Sequence, residues 1–399
     1  MQAELSSSPL SSYRPTRLAL IQTGSYYLAF IALGCSAVVL GPALDNLAAH
    51  TGSALSAVSG VFIANPLGRI VGALSSGRIY DKLRGHPIVA IAMLLVALAH
   101  LVLPAIAALW VLFAVAFGLG IAEATIDVGC NTLLMRAHGK NVAPYMNGLH
   151  LTFGVGALII PLVVAASSDQ TGDVFWAFWF ISIVLAPLAL WFYRLPDPIP
   201  HTEHQAAAKA SSAQTGLVML FVVFFILFVG VEAAPGSWAF NYGKALGLDE
   251  IGAGALTSTF FCGFTVGRLV AIPIATRLKP SIMLLLDIIG LFVGIGLLLM
   301  VNGQGPSWPM WLGLGMLGFA VASMFATALA WAEQRFVVTG TITGIFLAAS
   351  NAGAMFFPWI VGQFFESQGP GVMTTILLVA IVGTAVVFAI LSRVMRRQG

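Results

Sequence analysis

The chain has 399 residues, of which 59% are hydrophobic and only 8% charged, with a formal net charge of +3. A soluble domain carries about a quarter charged residues, so lipid rather than water is the main solvent of this chain, and the small basic excess gives no ground for a nucleic-acid partner. Cys35, Cys130 and Cys262 lie far apart in apolar stretches, in neither a disulfide framework nor a metal-ligand spacing.

The first 17 residues are polar and the first apolar run lacks a small-residue cleavage site, so no cleavable signal peptide is expected. Membrane-spanning runs follow near 18–41, 55–77, 87–106, 109–136, 143–166, 174–193, 216–241, 251–276, 281–301, 308–332, 339–364 and 371–392. Each can cross a hydrocarbon core of about 30 Å. None alternates as a membrane β-strand would, so all are read as helices and the fold class as an all-α membrane protein. Residues 194–215 (RLPDPIPHTEHQAAAKASSAQT) form the one long polar break. Residues 1–17 are thus expected to be a cytoplasmic tail, 18–193 and 216–399 two six-helix bundles (the second with a short tail), and 194–215 a cytoplasmic linker. With twelve spans, 15 of the 18 basic residues fall on the side of the termini, Arg69 and Arg268 lie inside helices, and Lys244 faces the other side. The positive-inside rule then places both termini in the cytoplasm; the expected location is a bacterial cytoplasmic (inner) membrane.

The second half repeats the first. Residues 59–79 (SGVFIANPLGRIVGALSSGRI) align without gaps on 258–278 (STFFCGFTVGRLVAIPIATRL) at an offset of 199, matching Ser59/Ser258, Phe62/Phe261, Gly68/Gly267, Arg69/Arg268, Val71/Val270 and Arg78/Arg277. Residues 154–164 (GVGALIIPLVV) align on 351–361 (NAGAMFFPWIV) at an offset of 197, matching Gly156/Gly353, Ala157/Ala354 and Pro161/Pro358. A parallel repeat of two six-helix halves is the build of an alternating-access transporter with its site between the halves.

In the fourth run Glu123, Asp127 and Asn131 are spaced i, i+4, i+8 and share a helix face. An acid at the bilayer centre costs roughly 2.5–3.5 kcal/mol, so these acids need a wet cavity, a proton or a cationic partner. Counted along their helices at 1.5 Å per residue, Asp127 lies about 13 Å and Arg69 about 12 Å from the same side. Arg69 is therefore the expected partner of Asp127. A purely structural ion pair is the alternative. Helix 7 offers Glu232, Trp238 and Asn241, and its Pro235–Gly236 step is expected to break the helix and free carbonyls. Asn351 in helix 11, His150 in helix 5 and Asn65 in helix 2 complete a set of amides, acids and an aromatic face suited to a polyol. Trp238 could equally be an interfacial anchor and His150 a structural histidine. Asp287 is read as structural, and Glu333 and Arg335 as interfacial.

The loop 77–85 (GRIYDKLRG) resembles the G-x-x-x-D-[RK]-x-G signature of the major facilitator superfamily, with Arg84 where the second Gly is usual. The resemblance implies a twelve-helix fold of two pseudo-symmetric bundles. It also implies a conformational latch of Gly77, Asp81, Lys82 and Arg84, to which the matched Arg268 is assigned. A plain basic loop is the bland alternative. Residues 127–131 (DVGCN) resemble the acid-x-x-x-Asn motif of the fucose–proton symporter branch. Residues 147–157 (NGLHLTFGVGA), 228–232 (FVGVE) with 236–238 (GSW) and Tyr242, and 257–268 resemble motifs of the sodium-dependent glucose transporter-like group beside it. This implies a sugar or sugar-like polar solute moved by symport with a proton or a sodium ion, Asp127 being the coupling acid with Glu123 and Arg69, and Asn131 joining the substrate set. The rivals are a proton-coupled exporter of drugs or amphipathic metabolites and a non-transporting receptor. Short loops and the lack of a nucleophile–base pairing argue against an enzyme. No cofactor or metal is expected beyond the coupling cation, and the expected partners are the solute and the bilayer, with the protein a monomer.

Overall fold

The computed structural model describes residues 15–198, 212–301, 307–335 and 340–397. Within them run twelve helices long and apolar enough to cross a membrane. Helices 1 to 6 span Arg17–Val38, Leu55–Tyr80, Gly85–Ala105, Leu109–His138, Ala143–Thr171 and Phe175–Arg194. Helices 7 to 12 span Gly216–Ala245, Glu250–Ala275, Pro280–Leu299, Trp308–Glu333, Ile342–Gln368 and Gly371–Met395. Every end lies within five residues of its sequence expectation. Lipid offers backbone N–H and C=O groups no partner, so an apolar run of this length must bond internally as a helix.

The expected break in helix 7 does not occur. Helix 7 belongs to one continuous helix, Ser212–Ala245, with Pro235 inside it. Proline removes one donor, so the Val231 carbonyl loses its usual acceptor role, but the neighbouring turns remain bonded. Pro66, Pro161, Pro273 and Pro358 are carried inside helices in the same way.

Helix 1 packs on helix 5, helix 2 on helix 4 and helix 3 on helix 6; helix 7 packs on helix 11, helix 8 on helix 10 and helix 9 on helix 12. The repeat read from the sequence reappears in this packing. Gly156 lies on the backbone of helix 1 at Ile31 and Cys35, and its partner Gly353 lies on helix 7 at Ile226 and Gly230. Gly68 meets the Phe117 carbonyl of helix 4 as Gly263 meets the Gly315 carbonyl of helix 10, so helices 2 and 8 repeat one turn away from the register of the sequence alignment, and Arg268 does not fall on Arg69. A methyl group at any of the four would overlap backbone atoms, so these glycines set how closely the paired helices approach.

The halves meet along helix 5 with helix 8 and helix 2 with helix 11. Polar contacts between them gather at the face opposite the two termini. Asp45, in a short helix Leu44–Thr51 that follows helix 1, accepts from Asn241 at 2.7 Å and lies 3.5 Å from Lys244. Lys244 is held in turn by Glu250 at 2.6 Å. The Leu55 N–H donates to Glu366, and Gln363 donates to the Ser56 carbonyl at 2.9 Å. Deeper in, the Ser258 hydroxyl donates to the Leu158 carbonyl at 2.7 Å. Toward the face of the termini the halves diverge, leaving Asn351 half-buried and the Asp127 side chain 37% exposed. The fold is therefore closed on the opposite face and open on the terminal face.

Gly156→Ala should lower the stability of the detergent-solubilised protein by roughly 1–3 kcal/mol, as overpacking does. Gly118, with open space around it, is the control: Gly118→Ala should be neutral or stabilising by up to about 1 kcal/mol. Thermal melts giving the two variants equal midpoints would refute the tight-packing account of Gly156.

Asp45→Ala should loosen the closed face. Allowing for solvent around a partly exposed carboxylate, the loss is roughly 1 kcal/mol, about a five-fold shift in the closed-to-open ratio. Spin labels at Ala54 and Ala245 would read it as growth of the long-distance population; an unchanged distance distribution would rule out Asp45 as a clasp.

Candidate functional site

Between the halves lies a cavity of about 300 Å³, lined by helices 1, 2, 5, 7, 8 and 11. That is the lower end of the roughly 300–1,000 Å³ typical of small-molecule sites. Its polar lining comes from Asn65 and Arg69 of helix 2, Glu232 and Ser237 of helix 7, and Asn351 of helix 11. Phe62, Phe153 and Phe261 add aromatic surface. The helix 7 contribution is the stripe Val229, Glu232, Ala233, Gly236 and Ser237, spaced as one face of a helix.

An ionic cluster of the first half borders this cavity. Arg69 Nη1 donates to Glu123 Oε2 at 3.0 Å, and its Nη2 lies 3.7 Å from Asp127 Oδ2. Arg69 is thus a fork between two carboxylates one turn apart. The tighter pair is with Glu123, not with Asp127 as expected. Gly120 lets helix 4 approach helix 2 until Gly120 lies against the Arg69 backbone, so the guanidinium reaches the acid one turn beyond Gly120 first and Asp127 second. Glu123 is completely buried, and Asn65 also donates to its Oε2 at 3.1 Å. Its Oε1 lies 2.5 Å from the Ser36 hydroxyl, which in turn lies 3.3 Å from His100 Nε2. Asn131 donates to Asp127 Oδ1 at 2.8 Å and so serves to orient that acid.

The second half contributes Arg268, which stacks over Phe264 at 4.4 Å and lies within electrostatic range of Glu232 and His150. The His150 ring meets Phe30 edge-on, and it also lies within electrostatic range of Asp127. Asn65, Arg69, Asp127, Asn131, His150, Glu232 and Asn351 are accordingly gathered in or beside one cavity.

Other expectations fail on geometry. Trp238 does not face the cavity. It is fully buried, its indole N–H donates to the Pro358 carbonyl at 2.8 Å, and its ring stacks on Phe365 at 4.7 Å between centroids. It follows Val231 and Ala234 on the packed face of helix 7, where Gly362 of helix 11 leaves room for the indole. Asn241 also lies outside the cavity, a turn past Ser237, where it bonds Asp45 at the closed face. Arg268, assigned to the latch, stacks on Phe264 within electrostatic range of the cavity residue Glu232, and among the described residues no contact ties it to Lys82 or Arg84. Arg84 engages the linker at Asp197 (3.1 Å), which also accepts from the His86 N–H, rather than a helix of the second half. Gly77 and Lys82 are exposed, and the side chain of Asp81 lies outside the described residues. Among the described residues, neither Lys82 nor Arg84 has a polar side-chain contact with the second half.

Ser36, His100 and Asp45 carry no signal that the sequence reading used. His100 lies in an otherwise apolar helix, a position that a lone polar residue takes only when a partner waits on another helix. Asp287, read as structural, accepts from Ser323 of the helix 9–helix 10 contact at 2.6 Å.

A family model of the Major Facilitator Superfamily matches residues 26–358. The chain is 26% identical over 408 residues to a Mus musculus protein named sodium-dependent glucose transporter 1A, covering 92% of this chain and 95% of that one. It is 24% identical over 402 residues to Homo sapiens sodium-dependent glucose transporter 1, covering 91% and 77%. Among solved structures, a mutant of the nucleoside transporter NupG superposes with a TM-score of 0.77 at 16% identity, covering 94% of this chain and 99% of that one. A D-xylose–proton symporter superposes with a TM-score of 0.72 at 14% identity, covering 92% and 97%. These two share the fold. Twelve membrane helices in two repeated halves around a central cavity, together with the family match over most of the chain, make this protein an integral membrane transporter of the Major Facilitator Superfamily and not an enzyme.

Proposed function

We propose that the protein is a symporter of a sugar or a similar polar solute, driven by protons. The observation that carries this reading is the cluster of one guanidinium and two carboxylates, Arg69 with Glu123 and Asp127, beside the central cavity. Two anions against one cation leave a net negative charge in a low-dielectric region, where an unpaired charge is costly. Binding one cation neutralises the cluster. Both oxygens of Glu123 already accept from donors, Ser36 on one and Arg69 with Asn65 on the other. A proton adds to such a carboxyl without further ligands, whereas a sodium ion needs several open oxygens.

The solute class rests on the cavity. Five of its lining side chains can hydrogen-bond, beside three phenylalanines. Amides, an acid and a guanidinium match the hydroxyls of a polyol, and aromatic rings match its C–H faces. A cavity for drugs or amphipathic metabolites would leave these polar groups desolvated without partners. The sugar names carried by the mammalian relatives agree with this reading. Those same names favour sodium as the coupling ion, which is the second reading. By the positive-inside rule the terminal face is cytoplasmic, so the form described here is inward-open, in the inner membrane of a bacterial cell.

The test is uptake of labelled sugars into proteoliposomes under an imposed pH or sodium gradient. An inward acid gradient should drive accumulation. Asp127→Asn and Glu123→Gln should each abolish accumulation, a loss of at least ten-fold, while Asp127→Asn retains part of solute exchange, because the amide keeps the shape but cannot titrate. Arg69→Gln should impair both. Accumulation driven by sodium alone would replace the proton reading, and wild-type accumulation by both acid variants would end it.

A further inference from the structure

The hydrogen-bond accounting around Ser36 does not close without one more proton. His100 Nδ1 lies 2.9 Å from the Val96 carbonyl, which can only accept, so Nδ1 carries a hydrogen. His100 Nε2 faces the Ser36 oxygen at 3.3 Å, and the Ser36 oxygen faces Glu123 Oε1 at 2.5 Å. Ser36 owns a single hydrogen. If it donates to Glu123, Nε2 must carry a hydrogen of its own to bond Ser36, and His100 is an imidazolium. If it donates to Nε2, Glu123 must carry a hydrogen on Oε1 to bond Ser36, and the acid is neutral. With a carboxylate and a neutral imidazole, two lone pairs would face each other between Ser36 and His100. All three residues are completely buried, where an unmade hydrogen bond has no water to replace it.

We propose that Glu123, Ser36 and His100 form a proton relay in which one exchangeable proton moves between the carboxyl of Glu123 and the imidazole of His100 through the Ser36 hydroxyl. In one direction the Oε1–H bond of Glu123 breaks as its proton passes to the Ser36 oxygen, and the Ser36 proton passes to His100 Nε2. Glu123 gains a negative charge and His100 a positive one. The reverse step restores a neutral acid and a neutral imidazole. Ser36 is unchanged by either passage.

The surroundings make the proton's position matter. The charged or titratable groups facing the relay are Arg69 from helix 2 and Asp127 from helix 4 itself; helix 2 also supplies the Asn65 amide, and helix 6 supplies the Phe178 ring against His100 at 5.7 Å. Cys35, beside Ser36 on helix 1, turns away to the Gly156 carbonyl of helix 5. His150 of helix 5 acts on Asp127 from the cavity side. With the proton on His100, the Glu123 carboxylate holds Arg69. With the proton on Glu123, its charge is gone and the Arg69 fork is left with the carboxylate of Asp127, one turn nearer the open face. The relay thus sets which acid holds the arginine that lines the cavity. His100 and Ser36 are positioning and proton-holding groups that touch no solute.

This inference rests on the reading of Glu123 as a coupling acid, but its test needs no solute or gradient. Wild-type protein carrying ¹⁵N-histidine is titrated in nanodiscs. The His100 imidazole is followed by NMR, assigned by its loss in His100→Asn, and the acid C=O band of Glu123 is followed by infrared difference spectroscopy, assigned by its loss in Glu123→Gln. The expected result is that the His100 imidazolium and the Glu123 acid band rise with one common midpoint and together account for one proton. Ser36→Ala should abolish the His100 imidazolium while Glu123 still titrates, and Ser36→Thr, which keeps the hydroxyl, should restore it. A His100 that stays neutral throughout the wild-type titration overturns the relay, as does a Ser36→Ala protein in which both signals titrate as in wild type. Should Ser36→Ala fail to fold, the wild-type midpoints and Ser36→Thr still decide. Failure of sugar uptake with an intact relay would count against the transport reading alone.

Discussion

An arginine cannot sit in the middle of a bilayer without an acid. Arg69 meets that constraint with two, and much of the first half is arranged around it. Glycines at 68 and 120 bring helices 2 and 4 so close that the guanidinium reaches a fully buried glutamate. The glutamate then needs donors of its own, which Asn65, Ser36 and Arg69 supply from helices 1 and 2. Ser36 in turn needs His100 from helix 3. One charge in lipid thus recruits polar side chains from four helices, because every group it buries must be satisfied by another.

The same cluster lies where the halves can move. Its acids are graded in exposure, from a sealed Glu123 to a partly exposed Asp127. A fork that holds both at unequal distance is a two-state element, and a charge change at one acid biases it without new contacts. On the opposite face the clasp of Asp45 with Asn241 and Lys244 is partly exposed and built from separable contacts. Rocking of the halves therefore breaks a few solvated polar contacts, while the glycine-packed pairs inside each half stay intact.

What the sequence made legible follows from lipid. Spans, their number and the repeat were readable because the bilayer dictates length and hydropathy, and because close helix packing demands small residues in both halves; the register of helices 2 and 8 was read one turn off, since GxxxG-like spacing offers a glycine at either turn. Side-chain direction was less legible. From Glu232, helical spacing leads to Gly236 and to Ser237, not to Trp238, so the indole's place on the packed face could have been read from periodicity alone. Asn241 shares the cavity stripe but sits a turn too far along it, which only the depth of the cavity reveals. Helix 2 runs on to Lys82 and helix 4 to His138, which sets Arg69 at a depth between Asp127 and Glu123 rather than level with Asp127, so the sequence expectation names only the nearer-end acid as its partner. Ser36 and His100 were invisible because a hydroxyl and a ring inside apolar helices resemble packing until the third helix is in place.

The repeat also shows where the two halves part company. Gly120 of helix 4 packs on Asn65 and Arg69 as Gly318 of helix 10 packs on Phe260 and Phe264, so Phe264 stands at the position of Arg69 and Arg268 lies one turn further along helix 8 than the sequence alignment places it. By that packing, helix 10 places Val321 and Phe325 where helix 4 places Glu123 and Asp127. Arg268 therefore finds no acid at these positions of helix 10. It leans on the Phe264 ring and takes its electrostatic partner from Glu232 of helix 7, which lines the cavity. Each half thus carries an arginine in its second helix, tied into a sealed network in the first half and left beside a cavity-facing acid in the second. Such a division lets one half respond to a proton while the other half meets the solute, and the cavity between them is where the two responses must agree.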